Sequence, residues 1–334
     1  MTDELRSSTG APHARILGVG GYRPSRVISN DEICELIDSS DEWIRTRSGI
    51  IERRWADDGE TVQSMAVGAS RKAIERAGIG AEEIGCVVVA TVSHMLQTPA
   101  VATLIALELG TNKAAAFDIS AACAGFCHGV ALGADMVRAG TAKYVLAIGV
   151  ERLSDITDRT DRSTAFIFAD GAGAAVIGPS ETSRIGPVVW GSDGEQFDLI
   201  RQKETWGDAF ANDGGTWPNL RMDGNPVFRW ASFEMAKVAR EAIERAGITV
   251  DDLDAFIPHQ ANMRITDAMA RALKIPAHVA IGRDIAYQGN TSAASVPLAM
   301  ERMIEEGAAK SGDTALLIAF GAGLAYAAQV VILP

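Results

Sequence analysis

Ala73-Ile-Glu-Arg-Ala-Gly-Ile79 recurs letter for letter as Ala242-Ile-Glu-Arg-Ala-Gly-Ile248. The offset, 242 − 73 = 169, is about half of the 334-residue chain. The residues after each copy match in character. Gly80-Ala-Glu-Glu-Ile84 leads to Cys86-Val-Val-Val-Ala-Thr91, and Thr249-Val-Asp-Asp-Leu253 leads to Ala255-Phe-Ile-Pro258. Each copy reads as a helix closed by a glycine, an acidic turn, and an apolar run without polar alternation, as in a strand covered on both faces. Later in each half, Thr141-Ala-Lys-Tyr-Val-Leu-Ala-Ile-Gly149 is echoed by Gly312-Asp-Thr-Ala-Leu-Leu-Ile-Ala-Phe-Gly321. Seven identical residues alone can be chance, but inside matching units they mark a duplication. The chain therefore reads as two copies of one α/β unit, mixed sheet plus covering helices. The copies are expected over residues 13–180 and 181–334, behind a polar, flexible stretch at 1–12.

If the copies pack about a pseudo-twofold axis, matching loops face each other near the centre. The same offset pairs Ala90 with His259 and Cys123 with position 292, beside Asn290. Cys123 lies in Ala116-Phe-Asp-Ile-Ser-Ala-Ala-Cys123-Ala-Gly-Phe126, which reads as strand end, small-residue elbow and helix start. Unpaired N–H groups and the positive end of a helix dipole there favour the thiolate, the nucleophilic form. The competing reading is a small buried core residue, as most free cysteines are. His259 stands in Phe256-Ile-Pro-His259-Gln-Ala-Asn262, at a strand end before a helix. Asn290 stands in Tyr287-Gln-Gly-Asn290-Thr-Ser-Ala-Ala-Ser295, at a glycine turn. Taken singly, these are a satisfied core histidine and a capping asparagine. Gly321, Ala322 and Gly323 follow the last long strand and offer backbone N–H groups to an oxyanion.

Cys, His and Asn together are also the residue set of papain-like proteases. Phosphatase chemistry finds no arginine cradle beside Cys123. Cys123 and Cys127 have helical i, i+4 spacing but no second pair nearby, so Cys127 is read as core packing and no metal is expected. Net charge is −12, which argues against a nucleic-acid binder. No apolar run reaches the roughly 18 residues of a membrane span. The first residues lack an apolar signal core, and four cysteines make no disulfide scaffold. A reduced, cytoplasmic setting is expected.

Taken with their settings, these motifs resemble those of β-ketoacyl-acyl-carrier-protein synthase III, the initiating condensing enzymes of bacterial type II fatty acid synthesis. The matching residues are Asp118-Ile-Ser-Ala-Ala-Cys123-Ala-Gly-Phe126, Pro258-His259-Gln-Ala-Asn262, Gly289-Asn290-Thr-Ser-Ala-Ala-Ser295, Asp170-Gly-Ala-Gly-Ala-Ala175 and Phe320-Gly-Ala-Gly323. The resemblance spans almost the whole chain. It implies a thiolase-like fold, two duplicated α/β halves in an αβαβα arrangement. It implies that Cys123 takes an acyl group from an acyl-CoA. His259 and Asn290 then stabilise the enolate formed as malonyl-loaded acyl carrier protein loses CO2, and 3-oxoacyl-carrier protein is released. No cofactor is needed.

The resemblance also implies a CoA tunnel with Trp43 and Arg162 sandwiching the adenine, Arg47 at a phosphate, and Phe228 and Asn262 along the pantetheine. It implies an acyl pocket bounded by Thr98 and Phe168. The threonine leaves room for a short branched acyl group as well as acetyl. Arg264 resembles a residue that meets the acidic carrier protein, and Arg229, Lys237, Arg271 and Lys274 extend that patch. Family members are homodimers, in which residues 94–98 reach the partner's pocket. The stretch from Gln202 to Leu220 fits no family pattern. A polyketide priming ketosynthase or acyltransferase shares every catalytic residue. A thiol hydrolase and a non-catalytic scaffold of the same fold are the further alternatives.

Overall fold

The computed structural model describes residues 5–111, 113–211 and 218–334. Residues 212–217 of the unplaced glycine-rich stretch lie outside these. One five-stranded sheet contains β1 (His13–Tyr22), β2 (Ile84–Ala90), β3 (Ala115–Ile119), β4 (Tyr144–Arg152) and β5 (Asp170–Ser180), in the order β1-β5-β4-β2-β3. The other contains β6 (Val189–Gly191), β7 (Ala255–Pro258), β8 (Ala280–Ile281), β9 (Thr314–Phe320) and β10 (Tyr326–Ile332), in the order β8-β7-β9-β10-β6.

The two sheets repeat each other in order and in sense. β2 is parallel to β3 and β4, while β4–β5 and β5–β1 are antiparallel. β7 is likewise parallel to β8 and β9, while β9–β10 and β10–β6 are antiparallel. The repeated heptapeptide ends helices α1 (Val62–Ala77) and, in the second half, α4 (Gly224–Arg245). Each copy leaves its helix through a left-handed glycine, Gly78 at φ 66° or Gly247 at φ 75°. That conformation costs glycine nothing and other residues strain.

The apolar strand runs are sandwiched on both faces. On β2, Cys86 and Val88 enter the central core and Val87 and Val89 the outer one. On β9, Ala315, Leu317 and Ala319 face the centre and Leu316, Ile318 and Phe320 face outward. Between the sheets lie α3 (Gly125–Ala139) and α6 (Ser295–Glu305). α1 with α2 (Val101–Leu109) covers one outer face, and α4 with α5 (Met263–Leu273) the other. This is the five-layer αβαβα arrangement. α3 lies close against its sheet because it carries glycines there. A Cβ on Gly125 would stand 2.5 Å from Ala90 Cβ, and one on Gly133 2.5 Å from Ile177 Cδ1.

The duplication also fixes the strand-to-helix turns that lead into α3 and α6. Ala122–Ala124 and Ser292–Ala294 are matching 3-10 turns, each opened by a residue with positive φ, Ala122 at 44° and Ser292 at 49°. Their offset is 292 − 122 = 170. The residue paired with Ser292 is therefore Ala122, and Cys123 pairs with Ala293. One added residue ahead of the second turn shifts the register expected from the heptapeptide.

Candidate active site

Three tight turns meet at Cys123. The first is its own, 122–124, between β3 and α3. The second is the turn at 292–294, whose Ser292 lies in the same cavity wall as Cys123, its side chain acting to lower the thiol's pKa. The third is the turn after β9. A Cβ on Gly321 would lie 2.5 Å from the Cys123 nitrogen, so this glycine is required for the backbones to meet. Cys123 forms part of the wall of a cavity of about 700 Å3, together with Ala122, Ser292, Ala322, Thr91 and Phe168.

Burial pushes the Cys123 thiol up to about 12. The Ser292 side chain and the residue's own N–H act in the opposite direction, and the nearby Glu151 carboxylate adds to the rise. The helix end, the Ser292 hydroxyl and the backbone N–H favour the expected thiolate, while desolvation of this half-buried residue opposes it. His259 is buried, and burial lowers it to about 3, so it is neutral near pH 7. Its backbone N–H donates to Ile318 O at 2.7 Å, and its ring meets Phe320 edge-on. Nδ1 lies 2.7 Å from Ser295 Oγ, which also accepts the Gln260 N–H. With the Ser295 proton on Nδ1, the neutral ring carries its own proton on Nε2 and can donate it.

Asn290 is tied at both backbone groups, donating to Ile167 O and accepting from the Ala169 N–H. Its Oδ1 accepts the Ser292 N–H at 2.9 Å, so its amide NH2 is turned elsewhere as a donor. Of the three oxyanion-loop candidates, Gly321 is excluded, since its N–H already donates to Ala325 O at 2.8 Å. Ala322 is in the cavity wall, and Gly323 supplies the left-handed bend at φ 70°.

The residues expected along a tunnel form one chain of contacts. The Arg162 guanidinium lies 4.8 Å from the Trp43 ring centre, and Arg47 lies 5.8 Å from it. Asn262 donates to Arg47 O and, through Oδ1, caps α5 at the Arg264 N–H. The Arg264 guanidinium covers the Phe228 ring at 5.0 Å. Trp43 and Arg162 are stacked on each other. A flat ring between them requires them to part, since each stacking contact needs about 3.5 Å. Phe168 is buried, pairs with Asn290 as a β-bridge and lines the cavity. Thr98 is exposed and outside the cavity; Met95, Leu96 and Gln97 line it instead. Arg229 and Lys237 on α4 and Arg271 and Lys274 at the end of α5 are exposed, with Lys237 paired to Glu234 at 2.8 Å.

Residues 117–194 match 3-oxoacyl-[acyl-carrier-protein] synthase III, and residues 243–333 match its C-terminal part. The chain is 60% identical to a β-ketoacyl-[acyl-carrier-protein] synthase III of Streptomyces glaucescens over 99% of both proteins. It belongs to the 3-oxoacyl-[acyl-carrier-protein] synthase III family. Its fold is therefore thiolase-like, and it is a condensing, acyl-transferring enzyme. A crystal structure of a priming β-ketosynthase from a polyketide biosynthetic pathway matches with a TM-score of 0.95 at 50% identity, covering 99% of this chain and 98% of that one. The synthase III of Aquifex aeolicus matches at 0.88 and 37%, covering 96% and 99%. Among the described residues, no helix is long and apolar enough to cross a membrane.

Several residues at the synthase cavity carry no recognisable signal in the sequence. Ile200, Arg201, Trp206, Phe210 and Leu220, in and beside the stretch that fits no family pattern, form one wall. Asp118 lies inside the nucleophile motif, and its carboxylate accepts the Val101 and Ala102 N–H groups at the start of α2. Glu151 is fully buried at the end of β4. Its one sequence signal is that it is the single acid closing the apolar run Tyr144-Val-Leu-Ala-Ile-Gly-Val-Glu151.

Proposed function

We propose that this chain condenses a short acyl-CoA, straight or branched, with malonyl-loaded acyl carrier protein, releasing CO2 and 3-oxoacyl-carrier protein through an acyl-Cys123 intermediate. The observation that carries this reading is the convergence at Cys123. The Cys123 thiol is in a cavity wall where the Ser292 turn and the Gly321 loop close on it. In this reading His259 Nε2 and the Asn290 amide add two neutral donors, each side chain being held by a hydrogen bond at its other polar atom. The thiol sulfur attacks the thioester carbonyl, and the Cys123 and Ala322 N–H groups face the developing oxyanion. After CoA leaves, the malonyl thioester oxygen takes the His259 and Asn290 donors as its carboxylate departs. The resulting carbanion attacks the acyl-Cys123 carbonyl. A neutral histidine suits that task, because a base held near 3 donates its Nε2 proton in a hydrogen bond without being charged.

In this reading Trp43, Arg47, Arg162, Phe228 and Asn262 take CoA once Arg162 swings off Trp43. Arg264, Arg229, Arg271 and Lys274 receive the acidic carrier protein, with Lys237 partly neutralised by Glu234. The half up to about residue 180 supplies the nucleophile, and the half from 181 supplies the two donors. The enzyme works in the cytoplasm as a homodimer, where Thr98 meets the partner's pocket. The likeness to a priming ketosynthase favours the same chemistry with a different pathway as its destination.

The test is to incubate the protein with labelled acetyl-, isobutyryl- and isovaleryl-CoA. Intact mass should show one acyl group, absent in Cys123→Ala, and added malonyl-carrier protein should convert it to 3-oxoacyl-carrier protein. Free acid released without the carrier protein would indicate a hydrolase. Label on other residues would sink the assignment.

A further inference from the structure

Glu151 is a fully buried carboxylate whose charge bears on the Cys123 thiol, and it takes no part in the condensation steps assigned to Cys123, His259 and Asn290. Its carboxylate sits at the bottom of a hydrogen-bond bowl. Oε2 accepts from Ser93 Oγ at 2.5 Å, Thr91 Oγ1 at 3.2 Å and the Val92 N–H at 3.1 Å. Oε1 accepts from Ser292 Oγ at 3.2 Å. The same Ser292 lies beside Cys123 in the cavity wall, and its side chain acts on the thiol. One hydroxyl therefore stands between the thiol and the carboxylate, able to accept from S–H while donating to Oε1. Ser292 holds this place by a left-handed backbone at φ 49°, mirrored in the other half by Ala122 at 44°, which has no hydroxyl. The turn forms without the hydroxyl, so the fold alone gives Ser292 no reason to carry one.

We propose that Glu151 is a positioning residue for Cys123, taking up the thiol proton through the Ser292 hydroxyl as the acyl group is transferred. This rests on the reading of Cys123 as the acyl-carrying nucleophile. The Sγ–H proton passes to Ser292 Oγ, and the Ser292 proton passes to Glu151 Oε1. The sulfur lone pair forms the S–C bond to the acyl carbon, and the carbon–sulfur bond to CoA breaks with its electrons on the CoA sulfur. The leaving thiolate takes a proton back along the same path, giving acyl-Cys123, free CoA thiol and an ionised Glu151. His259 is unsuited to this task, being neutral, buried and bonded at Nδ1 to Ser295. A thiol that resists ionisation reacts readily near neutrality when its proton leaves as the new bond forms. A buried carboxylate raised to about 7 is matched to receive it.

The surrounding charges leave Glu151 as the proton acceptor. Asp170, on the adjacent β5, turns its carboxylate to Ser154 and the Ala56 N–H. Arg152 pairs with Asp155, and Asp118 caps α2. His94 shares the cavity wall with Asp118 and Cys123.

The experiment follows acylation of Cys123 by stopped-flow and intact mass with acetyl-CoA across about pH 5.5 to 10, separately from decarboxylation of malonyl-carrier protein. Wild-type acylation should rise along a limb centred near neutrality. Glu151→Gln and Ser292→Ala should each be slower by about 100-fold or more at neutral pH, lose that limb and recover only toward alkaline pH, with decarboxylation kept within a few-fold. Glu151→Asp should restore part of the limb. Ser93→Ala keeps the relay but removes one bond to the ionised carboxylate, so the limb should move to higher pH. The proposal is overturned if Glu151→Gln acylates at the wild-type rate, or keeps the neutral limb, or loses acylation and decarboxylation equally. Should Glu151→Gln fail to fold, Ser292→Ala and Ser93→Ala decide. Failure of the wild type itself to label Cys123 would instead remove the functional reading.

Discussion

At the scale of single residues, the site separates into groups that move protons and groups that only donate hydrogen bonds. His259 and Asn290 belong to the second set, so His259→Ala or Asn290→Ala should cut decarboxylation of malonyl-carrier protein by about 100- to 1,000-fold, the usual effect of losing one oxyanion donor. Acylation of Cys123 should change far less, and an equal loss in both half-reactions would refute the division of labour. Cys127 shows what the same chemistry does in the core. It is fully buried, and burial pushes it up to about 12, above its ordinary value of 9. Between about 9 and 12 the folded chain thus holds a proton that the unfolded chain releases, and stability falls as pH rises through that window, by about 1.4 kcal/mol per pH unit for each such thiol. Cys127→Ala should flatten that alkaline loss in urea titrations while costing about 1 kcal/mol near neutrality for the small cavity. The settings of Cys123, His259 and Asn290 at tight turns and strand ends were legible from their glycine, proline and small-residue neighbours. The desolvation acting on the Cys123 thiol was not, because a helix start is visible in a sequence and the degree of burial is not. Glu151 was hidden for the same reason, since its partners Ser93, Thr91 and Ser292 come from distant stretches.

At the scale of elements, the site exists because one strand–turn–helix unit was used twice and the loop after β9 closes over it. The heptapeptide repeat made the duplication of one α/β unit readable, while the strand order within each sheet came only with the structure. The repeat did not reveal the residue added ahead of the second turn, because a repeat in one helix says nothing about insertions several elements later. The contact between turns is testable at Gly321. Its φ is −156°, extended backbone open to any residue, so Gly321→Ala meets no backbone strain, only a Cβ 2.5 Å from the Cys123 nitrogen. The turn at 322–324 should be displaced from Cys123, and with it the Ala322 N–H. Acylation should fall by about 100-fold, as expected when a reacting group is misplaced by about 1 Å, while decarboxylation by His259 and Asn290 is less affected. Thermal unfolding should show a loss of about 1–3 kcal/mol for the overpacked contact. Wild-type acylation in a folded Gly321→Ala protein would show that the loop does not serve the oxyanion.

At the scale of the whole molecule, the first half has an open flank at one edge of its sheet. β3 is the edge of its sheet, and its run Ala115-Ala-Phe-Asp-Ile119 is only partly buried although four of its five residues are apolar. Beside it on α2, Leu107 is 78% exposed and Leu104 is 39% exposed, three residues apart and so on one face. An exposed apolar edge strand is an aggregation site unless something covers it. In the proposed homodimer, pairing of β3 with β3 of a second copy across a twofold axis would cover both edges and both leucine pairs. The loop at 94–98 precedes α2, so the same contact carries Thr98, exposed in one chain, toward the partner's cavity. The wild type should therefore sediment as two copies of the 35.3 kDa chain. Leu107→Glu should shift it toward the single chain and lower the acyl-transfer rate. Because Leu107 lies outside the cavity wall, an unchanged rate in a monomeric Leu107→Glu protein would show that each chain closes its own pocket. A wild type that sediments as one chain would leave the β3 edge to another partner.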